Sequence, residues 1–383
     1  MTLQTVDLVL TRLCNLRCRF CYLHAKTSTS DPGEVERNLK ICGLILKQFR
    51  EGHLKHNFLN INLYGGEPLC AWDSVKAINE WRGEFQDVNV NLSLVTNMSL
   101  LDEDKMNYCI VNRIGIHPSI DGCKEVEDMF RITRDGKTVS DQVYENARRL
   151  TKKLKGRSCR STICPETVPY MLKSVKFICE DLGFDINNQV LAGGVKWTDE
   201  DIEGIKAQTR LISDWWMDKM RAGKHYSLYY LRNMLAGIWN PIRNRRLCGA
   251  GCAHGSIDTD GTIFPCHRFN GPETPKEYVM GNIFNGGVTN VDLEKKIMGH
   301  DVALYLKDKC STCIAVNSCH ALCLHEMMLN GSMFEPLDHY CKIWPFYYQE
   351  AMRVHSIMVA ERNPLYLSTY KPRPPTQSSA KGK

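Results

Sequence analysis

Cys14, Cys18 and Cys21 stand three and two residues apart, directly after a short apolar run. Three thiolates can hold a cubane iron–sulfur cluster at three irons and leave the fourth able to take an exogenous ligand, much as catalytic metal sites keep an open position where structural sites are closed. Spacings of i, i+4 and i+7 also share one helix face. A packed stripe is a poor account of these cysteines, because Asn15, Arg17 and Arg19 are interleaved with them and would make an unsuitable core face. Further along, Tyr64-Gly65-Gly66-Glu67-Pro68 closes a second apolar segment. Its two glycines allow close backbone approach to a ligand, and Glu67 offers an acceptor for an ammonium, although the same four residues also make an ordinary turn.

A second set of thiols lies near the other end of the chain. Cys248, Cys252 and Cys266 are followed by Cys310-x2-Cys313-x5-Cys319-x3-Cys323 and then Cys341. The chain has 18 cysteines in 383 residues. With no secretory signal, their spacing points to metal or redox chemistry before disulfides. Cys42, Cys70, Cys109, Cys123, Cys159, Cys164 and Cys179 are scattered singly and read as buried small hydrophobes. The C-terminal spacing taken alone suits structural zinc sites as well as iron–sulfur clusters. His24 and His267 are candidate acid/base groups, and each is also readable as a surface or hydrogen-bonded histidine.

The elements that must position these residues follow a repeating order. Short β-rich runs at 6–10, 59–64, 92–96, 115–120, 160–163 and 188–191 alternate with helical patterns at 34–50, 74–85, 102–111, 140–154 and 168–181. This is the signature of βα units with a parallel sheet. Six strands fall short of the eight that close a full barrel, so the expected class is α/β, a partial (β/α)6 barrel spanning 1–196. The first cysteine set and the Gly-Gly-Glu run then lie at C-terminal strand ends, the catalytic edge of β/α barrels. A Trp-rich helical bridge is expected at 197–246, a small cysteine-rich domain at 247–344, a helix at 345–370 and a disordered tail at 371–383.

Composition narrows the function classes. The +6 net charge is spread over 49 basic and 43 acidic residues without a long basic run, so it predicts neither nucleic-acid nor membrane binding. No apolar run approaches a membrane span, and the start lacks a basic region and carries Asp7 inside its apolar stretch, so a cytoplasmic protein is expected.

The Cys14-x3-Cys18-x2-Cys21 triplet resembles the CxxxCxxC signature of the radical S-adenosylmethionine (SAM) superfamily, whose members bind a 4Fe–4S cluster and chelate SAM at its unique iron. The resemblance extends to Phe20, as an aromatic beside the adenine, and to Gly65, Gly66, Glu67 and Pro68, similar to the motif that receives the SAM amino group. Thr96, Asn97 and Ser119 match polar strand-end positions used around the ribose and methionine carboxylate. Arg131 sits where relatives often carry a carboxylate-binding arginine. The C-terminal array, with Gly261 between Cys248 and Cys266, is similar to SPASM domains. By that analogy Cys248, Cys252, Cys266 and Cys323 hold one auxiliary 4Fe–4S cluster, and Cys310, Cys313, Cys319 and Cys341 hold another; a merely packed Cys252 would leave the first with an open iron.

The resemblance implies reductive cleavage of SAM to a 5'-deoxyadenosyl radical that abstracts hydrogen from substrate, with electrons drawn from a flavodoxin- or ferredoxin-type reductant. SPASM enzymes mostly modify peptides. Anaerobic sulfatase-maturating enzymes typically place an aspartate directly after the cysteine corresponding to Cys266, and this chain has His267 there. The expected reading is therefore maturation of a ribosomally made precursor peptide by crosslinking, epimerisation or excision of a tyrosine-derived unit. Sulfatase maturation, a small-molecule dehydrogenase and a non-catalytic electron carrier are the alternatives. Only thirteen residues precede Cys14, so a separate leader-peptide-recognition protein is expected as a partner.

Overall fold

The computed structural model describes residues 3–23, 31–52, 57–239, 249–272, 274–305, 308–319, 323–332 and 335–370. His24, Cys248 and the tail expected to be disordered lie outside these residues. Strand β1 (Thr5–Thr11) pairs in parallel with β2 (Phe58–Gly65), which pairs with β3 (Asn89–Thr96), which pairs with β4 (Gly115–Pro118). Helices α1 (Glu34–Glu51), α2 (Trp72–Arg82) and α3 (Glu103–Val111) make the crossovers. Two helices, α4 (Lys124–Phe130) and α5 (Ser140–Lys153), precede β5 (Ser158–Ile163). It runs parallel to β6 (Ile186–Leu191) across α6 (Met171–Lys176).

A parallel bridge from Ser119 to Arg160, with Ile120 N–H donating to the Arg160 carbonyl at 3.0 Å, carries the array from β4 to β5. The six strands thus follow chain order in an open, partial (β/α)6 barrel. The helix expected over 168–181 is instead divided into a 3₁₀ segment, α6 and a π turn at Phe177–Asp181. Pro169, which has no N–H to donate, lies in the 3₁₀ part.

Beyond β6, α7 (Asp199–Arg221) starts at a capping box in which the Thr198 and Asp201 side chains satisfy each other's backbone N–H groups. Next come β7 (Ser227–Leu228) and α8 (Tyr229–Trp239). The cysteine-rich segment opens with β8 (His254–Ile257), which pairs in parallel with the free edge of β1. An antiparallel meander of β9 (Thr262–Phe264), β10 (Gly281–Asn282) and β11 (Gly287–Val288) extends that edge. With a strand on each edge, β1 buries Val6, Leu8, Val9 and Leu10 together with Asp7 and Thr11. Helices α9 (Val291–Tyr305), α10 (Asp308–Ser311), α11 (Leu324–Leu329), α12 (Asp338–Ala360) and α13 (Pro364–Tyr370) complete the described chain. Helix α12 begins before the expected 345 and passes through Pro345, placing Cys341 in its first turns. The chain turns at Arg362 (φ 52°) before α13.

One apolar core lies between β1–β4 and α1–α3; a second joins α7, α8 and α12 through Trp216, Tyr230, Trp344 and Tyr347. A polar tie fixes the meander to the barrel. Arg12, just past β1, pairs with Asp258, just past β8, and donates to the Asn270 carbonyl at 2.9 Å. The Asp258 side chain is 7% exposed and that of Arg12 26%. Asp258→Ala should cost about 2 kcal/mol in denaturant unfolding, less than the roughly 3–5 kcal/mol of a fully buried pair because Arg12 reaches water.

Candidate functional site

The cysteine loop leaves the C-terminal end of β1 and is held on two sides. On one side, Gly66 N–H donates to the Thr11 carbonyl (3.0 Å) and Glu67 N–H to the Leu13 carbonyl (2.8 Å). A Cβ at Gly65 would overlap the Thr11 carbonyl, and one at Gly66 the Leu13 carbonyl. Gly65 also has φ 136°, open to glycine but rarely to other residues. The glycines are thus required by the backbone that carries Cys14, a contact the sequence reading assigned to a ligand. On the other side, Arg17 N–H donates to Ile132 (2.7 Å), Arg19 N–H to Phe130 (3.2 Å), and Arg134 Nε to the Cys14 carbonyl (3.2 Å).

Glu67 braces the mouth of the barrel. Its Oε1 accepts from Leu69 N–H (3.1 Å) and Thr96 Oγ1 (2.8 Å), and its Oε2 from Asn97 N–H (2.8 Å). Burial raises its carboxyl pKa to about 7 against these hydrogen bonds. Asn97 Nδ2 in turn donates to Asn15 Oδ1 in the cysteine loop (3.0 Å). Pro68 begins the 3₁₀ turn behind the loop, outside the cavity lining.

The three cysteines face a cavity of about 170 Å³ that Phe20, Gly65, Gly66, Glu67, Thr96, Asn97, Ser119 and Arg131 also line. Arg131 does not point its fork into open space. Its Nε and Nη2 donate to the two oxygens of Asp121 (2.8 and 3.1 Å), Glu127 lies 3.6 Å away, and the Phe20 ring sits against its guanidinium. The pair engages Nε and Nη2, and Arg131 lines the same cavity as the three cysteines.

A second cavity of about 370 Å³ adjoins the first, and Arg160 and Arg268 line both. Cys266, His267 and Cys323 form one wall, while Tyr230, Trp344 and Tyr347 line it from α8 and α12. His267 Nδ1 and His254 Nε2 lie 2.7 and 2.9 Å from Asp7 Oδ2, and Asn62 Nδ2 donates to Asp7 Oδ1 (2.7 Å). Burial opposes ionisation of Asp7, yet the two histidines hold its carboxyl far below the usual range; burial lowers the His267 pKa. The ionised Asp7 thus orients both rings. Beside His267, the Tyr22 and Tyr64 hydroxyls are 2.6 Å apart.

Sequence reasoning assigned no role to Asp7 or Arg160. The available signal for Asp7 was a single carboxylate inside an apolar parallel strand. Among the C-terminal thiols, Cys266 and Cys323 share the second cavity, and Cys341 neighbours Cys310 and Cys313 closely enough to raise its pKa, an effect secondary to burial. All cysteines among the described residues are free of disulfides.

The first set suits an iron–sulfur cluster. Burial pushes the Cys14 and Cys18 thiols up to about 12, so each keeps its proton at neutral pH unless a cation draws it off. Among the described residues no three His, Cys, Asp or Glu side chains converge as ligands of a single metal ion would.

Comparisons with known proteins agree with this geometry. Residues 8–178 match the model of the radical SAM superfamily. A cysteine-type anaerobic sulfatase-maturating enzyme of Clostridium novyi is 22% identical over 335 residues, covering 81% of this chain and 84% of the relative. The fold is that of a solved structure titled native anSMEcpe with bound AdoMet (TM-score 0.72, 18% identity, covering 93% of this chain and 99% of the other). Streptococcus suis SuiB bound to precursor peptide SuiA is also similar (TM-score 0.60, 15% identity, covering 88% and 76%).

Gly66→Ala should prevent the cysteine loop from seating against β2. Anaerobic reconstitution of this variant is expected to yield less iron per chain than wild type, with the shortfall matching that of a Cys14→Ala variant.

Proposed function

We propose that this chain is a radical SAM enzyme and a maturase that oxidises a side chain of a peptide or protein, in the manner of the sulfatase-maturating enzymes it resembles. The observation that carries this reading is the meeting of Cys14, Cys18 and Cys21 with Gly65–Glu67 and the strand-end residues Thr96, Asn97 and Ser119 around one cavity. The sulfatase-maturating relative matches along 81% of the chain, which supports this alternative over the precursor-peptide reading expected from sequence. A crosslinking peptide maturase is the second reading, favoured by His267 in place of an aspartate after Cys266 and by the roomy aromatic chamber.

A bound 4Fe–4S cluster with SAM supplies one-electron reductive cleavage and hydrogen abstraction; the rest falls to the chain's own residues. Cys14, Cys18 and Cys21 hold the cluster, the Gly65–Glu67 loop fixes their backbone, and Phe20, Thr96, Asn97 and Ser119 orient SAM. Cys248, Cys252, Cys266 and Cys323, and Cys310, Cys313, Cys319 and Cys341, hold two auxiliary clusters as SPASM-type sites. His267 takes a proton from the substrate, its ring set by Asp7. A flavodoxin- or ferredoxin-type protein serves as reductant, and the second reading adds a leader-recognition partner. Among the described residues no helix is long and apolar enough to cross a membrane.

The test is anaerobic incubation of the reconstituted protein with SAM, dithionite and a sulfatase-derived peptide carrying cysteine or serine. Expected products are 5'-deoxyadenosine and a peptide that has lost two hydrogens at serine, or at cysteine has also exchanged sulfur for oxygen. A precursor peptide losing two hydrogens while the sulfatase peptide is untouched would favour the second reading. No 5'-deoxyadenosine with either peptide would leave an electron carrier. Asp7→Asn should lower peptide oxidation about 100-fold, the low end of what a positioned acid/base group contributes, while 5'-deoxyadenosine still forms.

A further inference from the structure

The barrel is open, and its last strand has a bare edge. Ile186 N–H donates to the Arg157 carbonyl (3.2 Å) and Ala192 N–H to the Ile163 carbonyl (2.8 Å), so the even-numbered residues of β6 bond to β5. The backbone groups of the odd-numbered residues face the other way. On that side β7 pairs with Ile186 and Asn187 and goes no further, because the chain enters α8 at Tyr229. Beyond Asn187, no hydrogen bond among the described residues engages the backbone N–H or C=O of Gln189 or Leu191.

This edge opens into the larger cavity. Gln189, Val190 and Leu191 line it from β6, and Ala250 and His254 line it from across the gap, where β8 joins β1. Leu191 is 8% exposed, so its backbone is shielded from bulk water. Unpaired backbone groups are costly in such a place, and a row of them is a template for another strand. Much of the remaining wall is apolar. The Tyr230 hydroxyl is engaged by Ser213 Oγ (3.1 Å) and the Tyr340 hydroxyl by Glu326 (3.1 Å), so these two side chains offer the cavity their rings. Trp344, 7% exposed, lines it with a buried indole N–H that meets no acceptor. A strand added to β6 would carry carbonyls on its far edge, the kind of acceptor this N–H lacks.

We infer that the edge of β6 at Gln189 and Leu191 docks the peptide substrate, which binds as an added strand across the gap of the barrel. This docking presupposes the peptide-oxidising reading above. The occupant is an extended peptide because the edge offers donors and acceptors at strand spacing, a pattern that a main chain completes. Arg160 and Arg268 line both cavities, so a segment lying along β6 leads from the aromatic chamber toward the three cysteines. Recognition of this kind reads the substrate's backbone first and asks for one large apolar side chain near the residue attacked.

The experiment uses the full chain, anaerobically reconstituted and loaded with SAM but without reductant. Its affinity is measured by fluorescence anisotropy for whichever of the two peptides above wild type oxidises, and for a series of that peptide N-methylated at one residue at a time. N–H groups of an added strand point alternately toward and away from β6. Kd is therefore expected to rise about tenfold at every second residue around the reacting one, and to change little between them. Gln189→Pro deletes a donor from the free edge and spares the β5 ladder, as proline on an edge strand can. It is expected to weaken binding about tenfold with iron content and thermal unfolding unchanged. Loss of affinity at no position, or equal loss at every position, overturns the inference, and so does a folded Gln189→Pro that binds like wild type. Should Gln189→Pro fail to fold, the N-methyl series on wild type decides alone. If wild type oxidises neither peptide, the proposed function falls and the docking strand with it.

Discussion

The backbone after β1 and the backbone after β2 run so close together that only glycine fits between them. Gly65 and Gly66 press against the carbonyls of Thr11 and Leu13, and two N–H groups donate back across the gap. The cysteine loop thereby inherits the rigidity of a parallel strand pair. Glu67 continues the same contact to a third strand through Thr96 and Asn97, and Asn97 returns to the loop at Asn15. Any side chain at Gly66 would break this circuit before it touched a ligand. The conformational freedom of glycine is used here for chain packing, and the ligand cavity results from that packing.

Charge is distributed around the cavities with the same economy. Asp121 neutralises Arg131, Glu326 neutralises Arg268, and Asp7 is shared by two imidazoles. The Arg268–Glu326 pair and the Asp7–histidine pairs also join elements distant in sequence, so these polar groups fix the geometry of the mouth while the apolar cores supply its stability. Asp7 shows the coupling most directly. It lies in the central strand, and its partners come from β8 and the turn after Cys266, so the cysteine-rich segment is docked by a carboxylate that the barrel supplies.

Much of this was legible in the chain. The six parallel strands follow from alternating apolar runs, and the cysteine triplet and Gly-Gly-Glu run sit at strand ends because βα units place their loops there. Other features depended on the third dimension. Periodicity cannot show that β8 pairs with β1, since that contact spans most of the sequence and β8 is only His254–Ile257. The helix predicted over 168–181 failed because its apolar spacing says nothing of the π turn at Phe177–Asp181. Position alone places Arg131 at the mouth, and a sequence cannot reveal that Asp121 pairs with it there.

A cluster held by Cys14, Cys18 and Cys21 with an iron open to SAM would have a spectroscopic signature. Electron paramagnetic resonance of the dithionite-reduced protein, recorded with and without SAM, tests it most directly. SAM is expected to change the cluster signal, and the change to disappear when the three cysteines are replaced by alanine. A reduced signal indifferent to SAM, or one that still responds in the triple variant, would contradict it.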